Sequence, residues 1–459
     1  MGLPTSTIEM RTGFDPAVRL VEREYVTNPP RMKTSTPNLP RAGKYFRESV
    51  ASAAAIFSGN GFLAGFLGAP REPFVLLGDA NTLAAIERIG IRAQTNDVVV
   101  NLGAPLRLDD ALVARAVPQI PRGLEHLVVV GGGTLNDLGK LIAHERDSRL
   151  TLVASCASMN GWLSPNASLV RGGNKISVPA VAPAQVLLDD ALLGAAPREL
   201  TAAGFSDALS GLFACRDWLL ASHADLAPYD ADVADGVRRS LAPLGAALDA
   251  DGFDVSSSLA ALIDALLAGG LAMDAAHTSA PASGAEHLVA HAIDLHELGR
   301  GLPPTLHGHA VAAGSLLVAA LWDVIDQGRF GLPVALSADG RITALCTWLP
   351  TMTEAAPSIV RAKLTREATR PSAIDLAAMA SAAPELPRVD RLRGWLTCAG
   401  APTTAAFLSL DRAFFHSALL CARDLRDRYT VFDLAFALGV LPGRADEVLT
   451  RSGLFAVCT

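Results

Sequence analysis

The sequence predicts a protein of the α/β plus all-α class, with a parallel sheet in the N-terminal part and a helical domain in the C-terminal part. Three observations carry this expectation. Short apolar runs alternate with helix-period segments between residues 74 and 188, strand signals nearly vanish after Pro197, and a chain of 459 residues exceeds the length at which a single core usually stops growing. The expected division is an N-terminal arm over residues 1–44, an α/β domain over 45–196 and a helical domain over 197–459.

The elements follow in chain order. The arm carries a stretch over 27–40 rich in Pro, Thr and basic residues, a composition that favours extended or irregular backbone. Residues 74–77 (FVLL), 97–101 (DVVVN) and 127–130 (LVVV) are short apolar runs ended by turn residues, as strands of a parallel sheet should be. Residues 150–154 and 186–188 add two further strands. Beyond Pro197 the chain turns Ala/Leu-rich, and apolar residues at i, i+3 and i+4 predict helices through 241–248, 259–273, 311–325 and 416–425. No repeat of fixed period is present.

Composition excludes several classes of function. Hydrophobic residues make up 50% and charged residues 19%, far from the balance that keeps a chain disordered. Thirty-nine Lys and Arg against 46 Asp and Glu give a net charge of −7, so no global positive field attracts a nucleic acid. The most apolar runs, 61–69 and 310–324, fall short of the roughly 20 residues a bilayer span needs, and no membrane span is expected. The first fifteen residues lack an apolar signal region, so a cytoplasmic location is expected. Six cysteines lie far apart without a CxxC pair, which favours reduced, mostly buried thiols over disulfides or a thiolate zinc site.

Two constellations can carry chemistry. In the first, Gly131, Gly132, Gly133 and Thr134 stand between the 127–130 strand and a helix-like segment over 136–144. Glycines at such a turn let a diphosphate approach the backbone, where helix N–H groups and the positive dipole end stabilise it. A tight turn with no ligand has the same sequence. In the second, five of the ten histidines fall within 287–309. His287 and His291 share a helix face, and His307 follows a Gly/Pro-rich turn over 299–304 that can fold it back onto that face. Two imidazoles and a carboxylate make the three-ligand set of an open catalytic metal site, whereas helix caps and core positions are the plainer alternative. Asp207, in the otherwise apolar segment 204–212, is the candidate carboxylate, with an N-cap role after Ser206 as its competitor. The run Arg426, Asp427, Arg428 reads as a solvated helix face or an interdomain contact before it reads as a phosphate clamp. Trp162 and Trp218 read as core.

Taken in order, residues 131–140 (GGGTLNDLGK), 155–169 (SCASMNGWLSPNASL), 203–207 with Asp217 and Trp218, 283–291 (SGAEHLVAH), 306–311 (LHGHAV) and 426–430 (RDRYT) resemble the dehydroquinate-synthase-like, iron-containing alcohol dehydrogenase superfamily. Within it the chain is most similar to the sn-glycerol-1-phosphate dehydrogenase family, over roughly residues 45–442. The resemblance implies a Rossmann-like dinucleotide-binding domain, a helical metal-binding domain and a site in the cleft between them. It implies NAD or NADP as cofactor and one divalent metal ion, Zn, Ni or Fe.

Carried across by position, the metal ligands are Asp207, His287 and His307, and His291 beside them is a proton-relay or substrate-contact residue. Asp79, Asn81 and Thr82 match the adenosine side of the cofactor site. Gly131, Gly132, Gly133, Thr134 and Asp137 match its pyrophosphate turn, and Ser155 and Ser158 its nicotinamide-ribose segment. Lys175 matches a lysine near cofactor and substrate. Asn160 stands where the family usually has a substrate-contacting aspartate, and His309 replaces the usual glutamate after the His-Gly pair. The implied reaction interconverts a small phosphorylated or phosphonate-like alcohol and its ketone or aldehyde, closest to sn-glycerol 1-phosphate and glycerone phosphate. A metal- and NAD-dependent lyase or cyclase of the dehydroquinate-synthase kind is the alternative, although that family places Glu where Asp207 stands. A non-catalytic nucleotide-binding relative is the other. The family's tendency to oligomerise implies a homodimer or higher assembly.

Overall fold

A computed structural model of the chain describes residues 55–455, apart from 69–71, 105, 124, 369–378, 380 and 382–384. The expected arm over 1–44 lies outside the described residues.

Six parallel strands form the sheet: β1 (Ala55–Gly59), β2 (Val75–Gly78), β3 (Val98–Asn101), β4 (His126–Gly131), β5 (Arg149–Ala154) and β8 (Gln185–Asp189), in the order β1-β8-β5-β4-β2-β3. Val128 in β4 pairs with Leu76 on one side and Thr151 on the other, and the apolar run Leu127 to Val130 is buried throughout. A continuous apolar strand is what a central position covered on both faces requires. Helices α1 (Leu63–Gly68), α2 (Ala80–Arg88), α3 (Asp110–Ala116), α4 (Gly133–Arg146) and α5 (Asp190–Gly194) connect these strands or flank them. The chain steps from β2 outward to β3 and then returns to the other side of β2 as β4. The reversal opens a crevice at the carboxyl ends of β2 and β4, the position where open α/β sheets take ligands.

Three strands were not expected. β1 is a half-buried edge strand of mixed polarity, too weak a pattern to stand out. β6 (Asn166–Arg171) and β7 (Asn174–Pro179) form an antiparallel hairpin, a second small sheet, closed by Gly172 and Gly173 with φ of +56° and +72°. Only glycine adopts both angles without strain.

After α5 the chain enters the helical half with α6 (Arg198–His223), followed by α7 (Ala231–Asp249), α8 (Val255–Ala275), α9 (Ala285–Gly299) and α10 (His307–Ile325). Among the described residues six further helices follow: α11 (Ala338–Trp348), α12 (Ala356–Glu367), α13 (Val389–Ala399), α14 (Arg412–Cys421), α15 (Val431–Ala437) and α16 (Ala445–Ser452). Contrary to the expectation from apolar runs, α8 and α10 are long and apolar enough to cross a membrane by composition. However, 94% of the apolar stretch of α10 and 56% of that of α8 are buried inside the protein. A helix apolar all round belongs in a core, and α10 occupies one.

Close backbone packing sets the position of α6. A Cβ on Gly204 would lie 1.8 Å from the carbonyl oxygen of Ala157, and one on Gly308 of α10 would lie 1.9 Å from that of Ala203. Both distances are impossible for any other residue, so these two glycines let α6 touch the loop after β5 and let α10 touch α6. Trp162 and Trp218 are buried in this core as expected, and the Trp218 indole N–H donates to the Pro228 carbonyl at 2.6 Å. Among the described residues five cysteines are free: Cys156, Cys215 and Cys421 buried, Cys346 half-buried and Cys398 exposed.

Candidate metal centre and cofactor crevice

Asp207 lies in the interior of α6, three residues past Gly204, and is therefore not the N-cap considered from sequence. His287 sits in the first turn of α9, and His307 opens α10 after the glycine/proline turn. The Nε2 atoms of His287 and His307 stand 3.4 and 3.7 Å from Oδ1 of Asp207, and one ligand atom from each of the three lies within 4.8 Å of the others. The other carboxylate oxygen, Oδ2, accepts the backbone N–H of Asn160 at 2.8 Å. Oδ1 is buried and has no hydrogen bond. A desolvated carboxylate oxygen left unbonded between two imidazole nitrogens is costly unless a cation completes it. Two nitrogens and one oxygen fit a divalent ion with positions left for substrate oxygen.

The electrostatics of the trio agree. Burial alone would raise the Asp207 carboxyl, but the two imidazoles and the Asn160 N–H hold it below the usual range. Burial alone would lower His287, yet Asp207 and Glu286 push it up to about 9. Burial, reinforced by Lys175, brings His307 down to about 4.

Glu286 is a functional side chain that sequence reasoning passed over. Its Oε1 accepts the Gly284 N–H at 2.7 Å and lies 2.9 Å from Nδ1 of His287, so Nε2 is the nitrogen turned toward Asp207. Asp217 pins the start of the same helix by accepting the N–H of Ala285 at 2.7 Å and that of Val431 at 3.0 Å. His307 has no such support. Its Nδ1 is buried without a hydrogen bond, while His309 packs edge-on against Phe407 with centroids 5.4 Å apart.

His291 comes one turn after His287, its ring stacked beside that of His307 at 6.2 Å between centroids. Burial first, and then Arg426 and Lys175, hold it well below the ordinary imidazole range, so it stays neutral. Its Nδ1 is 3.9 Å from Oδ2 of Asp294, to which the Lys175 ammonium is paired. Asp294 was also missed, although i, i+4, i+7 spacing from His287 places it on the same face. Asn160 serves Asp207 through its backbone, and its side chain lies against Gly269 of α8, where an added Cβ would come within 3.2 Å.

On the sheet side, Asp79 caps α2: its Oδ1 accepts the Thr82 N–H at 2.8 Å, and Thr82 Oγ1 accepts the Asp79 N–H at 3.0 Å. Asn81 beside them is exposed. Gly131 ends β4, and Gly132 opens α4 with no side-chain cap, which leaves the first-turn N–H groups of Gly133 and Thr134 available to an anion. The Ser155 N–H donates to the Gly131 carbonyl at 3.2 Å, and a Cβ on Gly132 would meet the Cys156 sulfur at 3.0 Å, so the loops after β4 and β5 adjoin. Ser158 Oγ accepts the Cys156 thiol at 3.3 Å.

One cofactor-side residue is engaged elsewhere. Asp137 is committed elsewhere, because its Oδ2 accepts the Ser168 N–H at 2.9 Å and its Oδ1 pairs with buried Lys140 at 3.0 Å. It braces β6 against α4. Of the two readings of 426–428, the contact between the chain halves holds and the solvated face does not. Arg426 is half-buried and donates to the Lys175 carbonyl at 2.9 Å across the two halves, and Arg428 donates to Ser279 Oγ at 2.8 Å. Asp427 is the exposed member and pairs with Arg366 at 2.9 Å.

The family model described as iron-containing alcohol dehydrogenase matches residues 69–197. The chain is 27% identical over 367 residues to a glycerol-1-phosphate dehydrogenase (NAD(P)+) of Bacillus subtilis, an alignment covering 78% of this chain and 84% of that one. It is 30% identical over 332 residues to the enzyme of the same name from Halorubrum lacusprofundi, covering 72% of this chain and 75% of that one. Among solved structures, a probable glycerol dehydrogenase from Sinorhizobium meliloti shares the fold with a TM-score of 0.54 at 18% identity, over 86% of this chain and 99% of that one.

Proposed function

The chain belongs to the glycerol-1-phosphate dehydrogenase family of the iron-containing alcohol dehydrogenases, and from that premise we propose that it interconverts glycerone phosphate and sn-glycerol 1-phosphate with NAD(P)H and a divalent metal. The observation that supports this most is the unbonded, buried Oδ1 of Asp207 facing Nε2 of both His287 and His307. The relatives' names favour the dehydrogenase over the lyase or cyclase and over a non-catalytic relative.

A divalent ion (Zn, Ni or Fe) held by Asp207, His287 and His307 would supply Lewis acidity to the substrate oxygen, and a nicotinamide cofactor at the 131–134 turn the hydride chemistry. The chain's own groups do the rest. Glu286 holds the His287 ring by Nδ1 and so directs Nε2 into the site. His291, neutral and with Nδ1 free of any hydrogen bond 3.9 Å from Asp294, has an imidazole nitrogen with which to accept the proton of the substrate hydroxyl. Lys175, tied to Asp294, presents positive charge next to that ring.

The test follows nicotinamide absorbance with glycerone phosphate, with and without a chelator. Turnover that chelation abolishes and metal restores supports the reading, and metal-independent turnover overturns it. His307→Ala is expected to lose both bound metal and activity while keeping its far-ultraviolet circular dichroism. Full activity in that variant would refute the ligand assignment. A cytoplasmic location, consistent with the five free cysteines, and a homodimeric or higher assembly belong to the same proposal.

A further inference from the structure

Arg428 and Asp427 are accounted for by protein partners. Arg428 donates to Ser279 and lies near the carboxylates of Glu286 and Asp217, and Asp427 pairs with Arg366. Arg426 between the chain halves is not. Among the described residues its hydrogen bond is a single one, to the carbonyl of Lys175 at 2.9 Å, from a guanidinium with five N–H donors in a rigid fork. Burial and the charge of Arg428 pull it down to about 10, and no carboxylate opposes them. A half-buried cation with no carboxylate beside it and four N–H donors uncommitted to protein is open to an anion from solution.

The surroundings say which anion. The carbonyl that Arg426 holds belongs to Lys175, whose own ammonium is paired to Asp294 on α9, next to His291 and through it His307. Arg426 and Lys175 both bear on the His291 ring, so two cationic side chains flank the metal-ligand cluster of a chain whose net charge is −7. A phosphate dianion approaching this protein needs such a local positive site, and a planar fork binds its oxygens two at a time.

We propose that Arg426, with Lys175 beside it, forms the anion subsite that takes the phosphoryl group of the substrate. The inference rests on the polyol-phosphate reading above and makes Arg426 a determinant of specificity for phosphorylated over unphosphorylated ketones.

The test uses the metal-loaded enzyme with NAD(P)H bound. Arg426→Gln keeps a donor for the Lys175 carbonyl and removes the charge. The ratio of kcat/KM for glycerone phosphate to that for dihydroxyacetone should fall about 100-fold, carried by KM, as expected for loss of a charged hydrogen-bonding contact. Inorganic phosphate, titrated calorimetrically into the same two proteins, should bind the variant weaker by a similar factor. An unchanged ratio, or unchanged phosphate affinity, overturns the proposal. Should Arg426→Gln fail to fold, Arg426→Lys keeps charge and stem but loses the fork, and a loss of about tenfold in the same ratio is expected. If the wild type reduces neither ketone, the reading of its substrate fails, yet the phosphate titration still decides the subsite. Turnover of glycerone phosphate indifferent to Arg426 sinks the subsite alone.

Discussion

Nδ1 of His287 lies 2.9 Å from Oε1 of Glu286, its immediate neighbour in the chain, in the first turn of α9. The contact decides which imidazole nitrogen faces Asp207 and makes the ring more basic toward a metal. Glu286→Gln keeps an oxygen for the Gly284 N–H but loses the charge and can present the wrong group to Nδ1. Metal affinity, measured by competition with a chromogenic chelator, should drop roughly 10–100-fold. An affinity equal to the wild type would show that the glutamate does not support the ligand.

Metal uptake should release a proton. In the metal-free chain His287 is pushed up to about 9, since the pull of Asp207 and Glu286 outweighs burial, and it therefore carries a proton at pH 7. The sign follows: folded-state protonation is favoured over the unfolded value of about 6.5, so its stabilising contribution is complete below that pH and lost as pH rises through about 9. A metal must displace that proton. Apparent affinity should rise by up to about tenfold per pH unit from 7 to 9 and then level off. Calorimetry in buffers of different ionisation enthalpy reads the proton directly, and an observed enthalpy independent of buffer would contradict the assignment.

Gly204→Ala would set a methyl group 1.8 Å from the Ala157 carbonyl oxygen, a backbone atom that cannot rotate away. The strain should lower stability by about 3 kcal/mol and the melting temperature by roughly 5 °C. The same displacement moves the Asn160 N–H from Asp207, so weaker metal retention should accompany the lower melting temperature. A variant that melts with the wild type would mean that α6 and the loop have room to separate.

Lys140 is fully buried and bonds Asp137 at 3.0 Å, the Gly161 carbonyl at 2.5 Å and the Asn166 carbonyl at 3.4 Å. Lys140→Met fills the space and leaves a carboxylate and two carbonyls without their cation, a loss of about 3–5 kcal/mol. Denaturant unfolding gives the magnitude, and hydrogen exchange should show β6 and β7 opening first. Uniform exchange protection in the variant would argue against this brace.

What could be read from the chain depended on whether the signal was local. Strands β2 to β5 and β8 are apolar runs ended by turns, and clustered histidines with an aspartate in the apolar segment 204–212 marked a metal-site candidate, whose three ligands Asp207, His287 and His307 the family resemblance singled out. The hairpin β6–β7 carried a local mark as well, two glycines between alternating segments, which weak hydrophobicity obscured. Glu286 and Arg426 were different. Glu286 looks like an ordinary first-turn acid, its contacts to Gly284 and His287 being local but without periodicity, and Arg426 looks like a surface charge whose role arises only when it meets Lys175 across the crevice. Contacts formed between distant segments leave no periodicity to read.

The hydrogen bond from Asn160 to Oδ2 of Asp207 ties the loop after the sheet to a side chain of the helical half. Any hinge-like widening of the molecule would tug on that carboxylate before it disturbed the histidines. An ion seated there would act as a strain gauge: with cobalt in place, its visible spectrum should shift when NAD(P) enters.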